Sequence, residues 1–206
     1  MGKETTMKNL LILFVLLACV CHPPHREARM LWPESLAGLD EAARRCRISA
    51  GKLEAAARQA GREDLPGAER LLRALAQAER IQERSCVEAI RRLGGRYTPP
   101  TRIVVRIRTT RDNIERLRLS LRDDRTPTRA IDRAIAEGNR YAARLLIRSA
   151  AAENRRLRFV ESYLQRGEQL TSAYWVCPRC GYLCDDRHRD PYCPQCQTSG
   201  RRFLPF

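Results

Sequence analysis

Lysine is almost missing from this basic chain. Lys3, Lys8 and Lys52 are the only lysines, so arginine carries nearly all of the formal net charge of +15. Aromatic residues are scarce too, at 6%. No basic run is interleaved with aromatics, as a groove that holds phosphates and stacks bases would need. The arginines instead alternate with Glu and Asp along helical stretches, the pattern of solvated helix faces. Nucleic acid is therefore not an expected partner. Few aromatics, against many Ala, Leu and Arg, also disfavour sheet and favour helix. Apolar residues at 43% make a packed core feasible and exclude wholesale disorder. A length of 206 residues fits one ordinary domain plus a small module.

The nine cysteines form two populations. Cys19, Cys21, Cys46 and Cys86 are scattered. Cys177, Cys180, Cys193 and Cys196 form two Cys-x-x-Cys pairs, with Cys184 between them. Short paired spacing indicates a metal site rather than a disulfide framework. Each pair wraps a tight turn, so that two sulfurs converge while backbone amides point at them. Two such turns give a tetrahedral cage of four sulfurs that suits iron or zinc. Tyr174, Trp175, Tyr182, Tyr192 and Phe203 are expected around the cage, favouring a partly dry iron site. Cys184 is expected to be a neighbour, since the paired cysteines fill the shell, and His188 an exposed loop residue.

The apolar run from Leu10 to Val20 follows Met7-Lys8 and is uninterrupted by charge. It is far shorter than the roughly 20 residues that span a bilayer. A basic start before a short apolar region resembles a secretory signal. Leu16-Leu17-Ala18-Cys19 resembles a bacterial lipobox, which would make Cys19 the lipidated, membrane-anchoring first residue of an exported lipoprotein. The alternative is a buried or disordered N-terminal segment of a cytoplasmic protein, the compartment where thiolate-bound iron is commoner. Residues 1–25 are accordingly set apart from the fold.

Four apolar stripes at helical spacing follow. The first runs through Leu36, Leu39, Ala43, Cys46, Ala50, Leu53, Ala57 and Ala60. After a turn at Pro66-Gly67, the second runs through Leu71, Leu75, Ala78, Gln82, Cys86, Ala89 and Leu93, and Gly94-Gly95 stops it. Residues 96–109, with Pro99-Pro100 and Ile103-Val104-Val105, read as an extended connector. Thr110 or Asp112 can cap a third helix with Ile114, Leu117, Leu121, Ile131 and Ile135 inward, broken or kinked at Pro127. Gly138 marks the next turn. The fourth stripe, from about Arg140 to Glu168, carries Ala142, Leu145, Leu146, Ser149, Ala152, Phe159, Val160 and Tyr163. Four one-faced helices leave water most simply by packing on each other as a bundle.

Polar residues interrupt these stripes. Glu79 and Gln82 lie three apart in the second helix, and Glu153 and Arg156 three apart in the fourth. A buried carboxylate is costly unless paired or metal-bound. Glu with a ligand at i+3 on two helices is the di-iron carboxylate arrangement, but it uses His at i+3. Arginine has no lone pair to offer a metal, so Arg156 is expected to neutralise Glu79 or Glu153. Asp123 and Asp124 could add a carboxylate.

A helical bundle followed by this module resembles rubrerythrin, over roughly residues 35–206. The specific match is Trp175-Val176-Cys177-Pro178-Arg179-Cys180-Gly181-Tyr182 with Cys193-Pro194-Gln195-Cys196. In the bundle, Ala78-Glu79-Arg80-Ile81-Gln82 and Ala152-Glu153-Asn154-Arg155-Arg156 fall in register with the family's two Glu-x-x-His segments. The resemblance implies a ferritin-like four-helix bundle over 34–168 and a rubredoxin-like module over 172–206. In that family a di-iron centre reduces hydrogen peroxide with electrons from the rubredoxin-like iron. Here both histidine positions are lost, the first-helix glutamate position falls near Cys46, and Leu119 and Arg122 occupy the third helix's glutamate positions. Glu79 and Glu153 alone persist. The expectation is therefore an electron-transfer protein with one four-cysteine iron, or zinc in its place, and no di-iron peroxidase centre. The alternatives are an active peroxidase with unusual bundle ligands and a non-enzymatic zinc-ribbon interaction protein. A redox partner of unspecified identity is required, and a homodimer is implied by the resemblance.

Overall fold

A computed structural model of the chain describes residues 31–123, 126–169 and 173–206. The lipobox-like segment with Cys19, and Asp124, lie outside them. Helix α1 (Pro33–Arg62) and helix α2 (Pro66–Arg92) both begin with proline, whose fixed φ suits a first helical turn and whose missing N–H would be unpaired there. Leu39, Ala43, Ala57 and Ala60 of α1 are buried with Leu71, Leu75, Ala78 and Ala89 of α2. The alanines among them let the two helices approach closely. Gly94, at φ +80°, ends α2, and Gly95 N–H donates to Ile90 O at 2.9 Å.

The connector that follows contains neither helix nor strand, and Ile103 crosses α1 beside Gly51. The third position of the bundle is shared by two short helices, α3 (Thr110–Asp123) and α4 (Thr126–Ala136), with Pro127 in the first turn of α4. The cap of α3 is Thr109, not Thr110 or Asp112, because Thr109 Oγ1 accepts from Asp112 N–H at 3.2 Å. Ile135 is 58% exposed, whereas Ala130 and Ala134 are buried. The break shifts the phase of the stripe, so α4 does not continue the face of α3. Gly38 of α1 meets Ala130 so closely that a Cβ there would lie 3.2 Å from the alanine methyl. Helix α5 (Arg140–Arg166) completes the bundle, capped by Asn139 Oδ1 accepting from Ala142 N–H at 3.1 Å.

Neither Trp32 nor Leu65, the cap positions of α1 and α2, supplies a side-chain acceptor. Glutamates from distant helix ends take that role. Glu137 accepts from the Glu34 and Ser35 amides at 3.0 and 2.8 Å. Glu168 accepts from those of Gly67 and Ala68 at 2.6 and 3.0 Å. Glu63 likewise accepts from Thr110 N–H at 3.0 Å. A carboxylate at a helix N-terminus satisfies orphan amides and meets the positive end of the helix dipole.

The tail is a small antiparallel sheet of β1 (Tyr174–Val176), β2 (Leu183–Asp185) and β3 (Leu204–Pro205), in the order β2-β1-β3. Trp175 stands opposite Cys184, and Val176 opposite Leu204. Among the described residues no helix is long and apolar enough to cross a membrane.

Candidate metal centre and bundle interior

Strand β1 delivers Cys177 into the first of two turns built alike. Cys177 N–H donates to Tyr182 O at 2.9 Å and Gly181 N–H donates back to Cys177 O at 3.0 Å. In the second turn, Cys193 N–H donates to Thr198 O at 2.7 Å and Gln197 N–H to Cys193 O at 2.8 Å. Each turn aims amides at its leading sulfur: those of Cys180 and Arg179 at Cys177, and those of Gln195 and Cys196 at Cys193. The sulfurs of Cys177, Cys180, Cys193 and Cys196 all lie within 4.8 Å of one another. Cys177–Cys196 and Cys180–Cys193 are each 3.5 Å apart. Sulfurs at about 2.3 Å from a tetrahedral ion stand roughly 3.8 Å apart, so this group is able to hold a metal ion.

The protonation chemistry agrees. Hydrogen bonds from Cys180 and Cys193, then from backbone amides, outweigh burial and hold the Cys177 thiol far below its ordinary range. The donors pay the converse: Cys180 is pushed up by its bond to Cys177, and Cys193 for the same reason to about 12. Four sulfurs this close cannot all be thiolates unless a cation replaces the shared protons.

Trp175, Tyr182 and Phe203 pack with the cysteines, as expected. Two of the predicted aromatics do not. Tyr174 is buried in the bundle core, edge-on to Phe159 with centroids 5.7 Å apart, because alternation along β1 turns it to the opposite side. Tyr192 is 60% exposed. Cys184 lies outside the cage, its Sγ 3.7 Å from Trp175 O, and burial raises its pKa to about 11. His188 is exposed, with Nδ1 2.6 Å from Asp185.

The module docks on the bundle at α2 and α5. Gly181, at φ +74°, sits so close that a Cβ would lie 2.8 Å from Ala78 O. Arg84 donates to Pro178 O at 2.7 Å, and Arg155 to Leu183 O at 2.5 Å while its guanidinium covers the Tyr182 ring at 4.4 Å.

One turn along α2 from that contact, the polar residues of the stripes meet. Arg156, 2% exposed, places Nη1 2.6 Å from Glu79 Oε1 and bonds Gln82 Oε1 through Nη2. Ser49 donates to Glu79 at 3.0 Å and Ser149 to Gln82 at 3.2 Å. Cys46 is buried beside them, its Sγ 3.9 Å from Gln82 Oε1. Burial raises its thiol well above the ordinary range, and the same cause takes Cys86 to about 12.

Glu153 is only partly buried and pairs instead with Arg45 of α1 at 2.8 Å. Nothing in the sequence positions of Arg45, Ser49 and Ser149 marks them as the polar partners they are here. An arginine beside Cys46 looks like any other in a chain so rich in them. Asp123 and Leu119 are exposed, and Arg122 pairs with Glu161 at 2.8 Å.

Neither a protein-family model nor a curated protein matches the chain. Solved structures do. Nigerythrin in its fully reduced, all-ferrous state is 20% identical with a TM-score of 0.77, and in its mixed-valence state 21% identical with a TM-score of 0.75; each covers 84% of this chain and 86% of that one. A bacterioferritin from Desulfovibrio desulfuricans, described with a di-iron site, is 17% identical with a TM-score of 0.52, covering 66% of this chain and 83% of its own. The fold of the chain is that of nigerythrin: a ferritin-like helical bundle carrying a rubredoxin-like module with four clustered cysteines.

Proposed function

We propose that this chain is a rubrerythrin-like electron-transfer protein that uses a four-cysteine iron and has exchanged the di-iron centre of such bundles for ion pairs. The observation that carries the second half is the guanidinium of Arg156, bonded to both Glu79 and Gln82 in the bundle interior. A permanently charged cation with no lone pair sits among the residues that would otherwise ligate. Arg45 does the same for Glu153. Residues so paired do not fit two further cations, and no reaction step is assigned to the bundle.

The cage fits one ion. Bound there by Cys177, Cys180, Cys193 and Cys196, iron would supply a one-electron ferric/ferrous couple suited to outer-sphere electron transfer. The chain's own part is to gather the sulfurs, to aim amides at them so that negative charge is stabilised, and to exclude water with Tyr182 and Phe203. Support for iron over zinc comes from the all-ferrous state of the structurally similar nigerythrin.

Metal analysis with an absorption spectrum tests both halves. One iron per chain, with thiolate-to-iron charge-transfer bands and no peroxide consumption in the presence of a reductant, is expected. Three irons, or peroxide turnover abolished by Glu79→Ala, would overturn the loss of the bundle centre. Colourless protein carrying zinc after growth in ample iron would overturn the electron-transfer reading.

A further inference from the structure

Between α1, the connector and α3 lies a cavity of about 1050 Å³, at the upper end of the size of small-molecule sites. We propose that it binds a free long-chain carboxylate. Most of its surface area is apolar, with Ile48, Leu53 and Leu72 on one side and Ile107, Leu117 and Leu121 on the other, and polar side chains are set among them. Such a wall removes a hydrocarbon chain from water, at about 0.8 kcal/mol per buried methylene.

The charges around it select the sign of the headgroup. Every acidic residue lining the cavity already has a cation. Asp40 pairs with Arg44 at 2.5 Å, Glu41 with Arg133 at 3.2 Å, Glu79 with Arg156 at 2.6 Å and Glu153 with Arg45 at 2.8 Å. Three lining cations, Lys52, Arg106 and Arg116, have no ion-pair partner among the described residues. All three are exposed, so they stand at the solvent side, while Leu53 and Leu72 are buried within. A surplus of cation at the mouth of an apolar groove is complementary to an anionic head on an apolar tail. A small anion would leave the apolar wall unused, and a neutral lipid would leave the cations unanswered.

The test titrates the full-length protein with cis-parinaric acid below its micellar concentration and reads its fluorescence. Saturable binding at one site per chain is expected. The doubly substituted R106E/R116E protein should bind at least tenfold more weakly, and Leu117→Glu should abolish uptake, each with helical circular dichroism unchanged. If Leu117→Glu loses helix, the charge-reversed protein, altered only at exposed positions, still decides. The fatty alcohol of equal chain length should compete at least tenfold more weakly than the carboxylate. No saturable uptake, equal competition by the alcohol, or displacement by inorganic phosphate at the same concentration as by the carboxylate would each overturn the proposal. So would binding to phosphatidylglycerol vesicles with no uptake of the monomeric acid, or a dimer that takes up the acid only on dissociating.

Discussion

Gly181 and Gln197 occupy the same place in two copies of one turn. Each donates its N–H to the carbonyl of the cysteine four residues before it, and each has positive φ, +74° and +60°. Only one of them is glycine. Gln197 carries a left-handed backbone at a cost of about 1–2 kcal/mol for an L-residue.

Opposite responses at the two positions follow. Gln197→Gly should stabilise the module by roughly 0.5–1 kcal/mol, after allowing for the larger unfolded-state entropy of glycine. Gly181→Ala should destabilise it by about 2 kcal/mol or more, since the methyl would also press on the Ala78 carbonyl. Denaturant titration of the metal-loaded protein, followed by metal release, reads both.

Arg156 and Glu79 should behave as a buried pair. Arg156→Met leaves a carboxylate without its cation and should cost about 3–5 kcal/mol in urea unfolding. The double variant with Glu79→Leu should recover most of that loss, because two apolar side chains replace two charges. A double variant as unstable as the single one would show that the wider network, not the pair, carries the stability.

Acid should loosen the helix ends. Burial works to raise the pKa of Glu168, but hydrogen bonds from Tyr163 and the Gly67 and Ala68 amides leave it below the ordinary carboxylate value. Glu137 is lowered in the same way, burial again opposing, by bonds from Ser35 and Glu34. Glu63 is lowered by Gln59 and then Thr110. A depressed carboxylate stabilises the fold above its unfolded value of about 4.3, and the contribution is lost as pH falls through the folded value. Thermal midpoints should therefore be flat toward neutrality and fall below about pH 4, and Glu168→Gln should flatten that fall. An unchanged acid profile in the variant would refute the assignment.

The buried thiols should be silent. Because burial lifts Cys46 and Cys86 above their ordinary range, little thiolate is available to attack. Mass spectrometry after brief alkylation should find both unmodified in the folded protein and modified in denaturant. The cage cysteines should be protected with metal bound and become reactive after chelation, with the helical signal nearly intact. Cys177→Ser should likewise abolish metal binding by the tail while sparing helix content.

Much of this architecture was legible in residue spacing. The stripes through Leu39 and Leu71 and the break at Pro127 are local patterns, and local patterns survive in sequence. The cysteine pairs are equally local, which is why the four sulfurs could be named together. The burial of Glu79, Gln82 and Arg156 could be read from their place in apolar stripes, yet the partner of Glu153 could not. Arg45 reaches it across 108 positions of chain. The phase shift that exposes Ile135 depends on where the helix restarts after the break, which no periodicity encodes. Tyr174 and Tyr192 lie close to cysteines in sequence, yet the first packs into the bundle core and the second is exposed. The carboxylate caps were invisible for the same reason as Arg45, since Glu137 and Glu168 act about 100 residues from where they stand.

Those caps give the bundle a direction. The end of α4 holds the beginning of α1 through Glu137, the end of α1 holds the beginning of α3 through Glu63, and the end of α5 holds the beginning of α2 through Glu168. A helix that unwinds from its last turn lets go of another helix's first turn, so damage at one end travels instead of staying local. The helices so joined, α4 with α1 and α3, and α5 with α2, should therefore melt together rather than fray one by one.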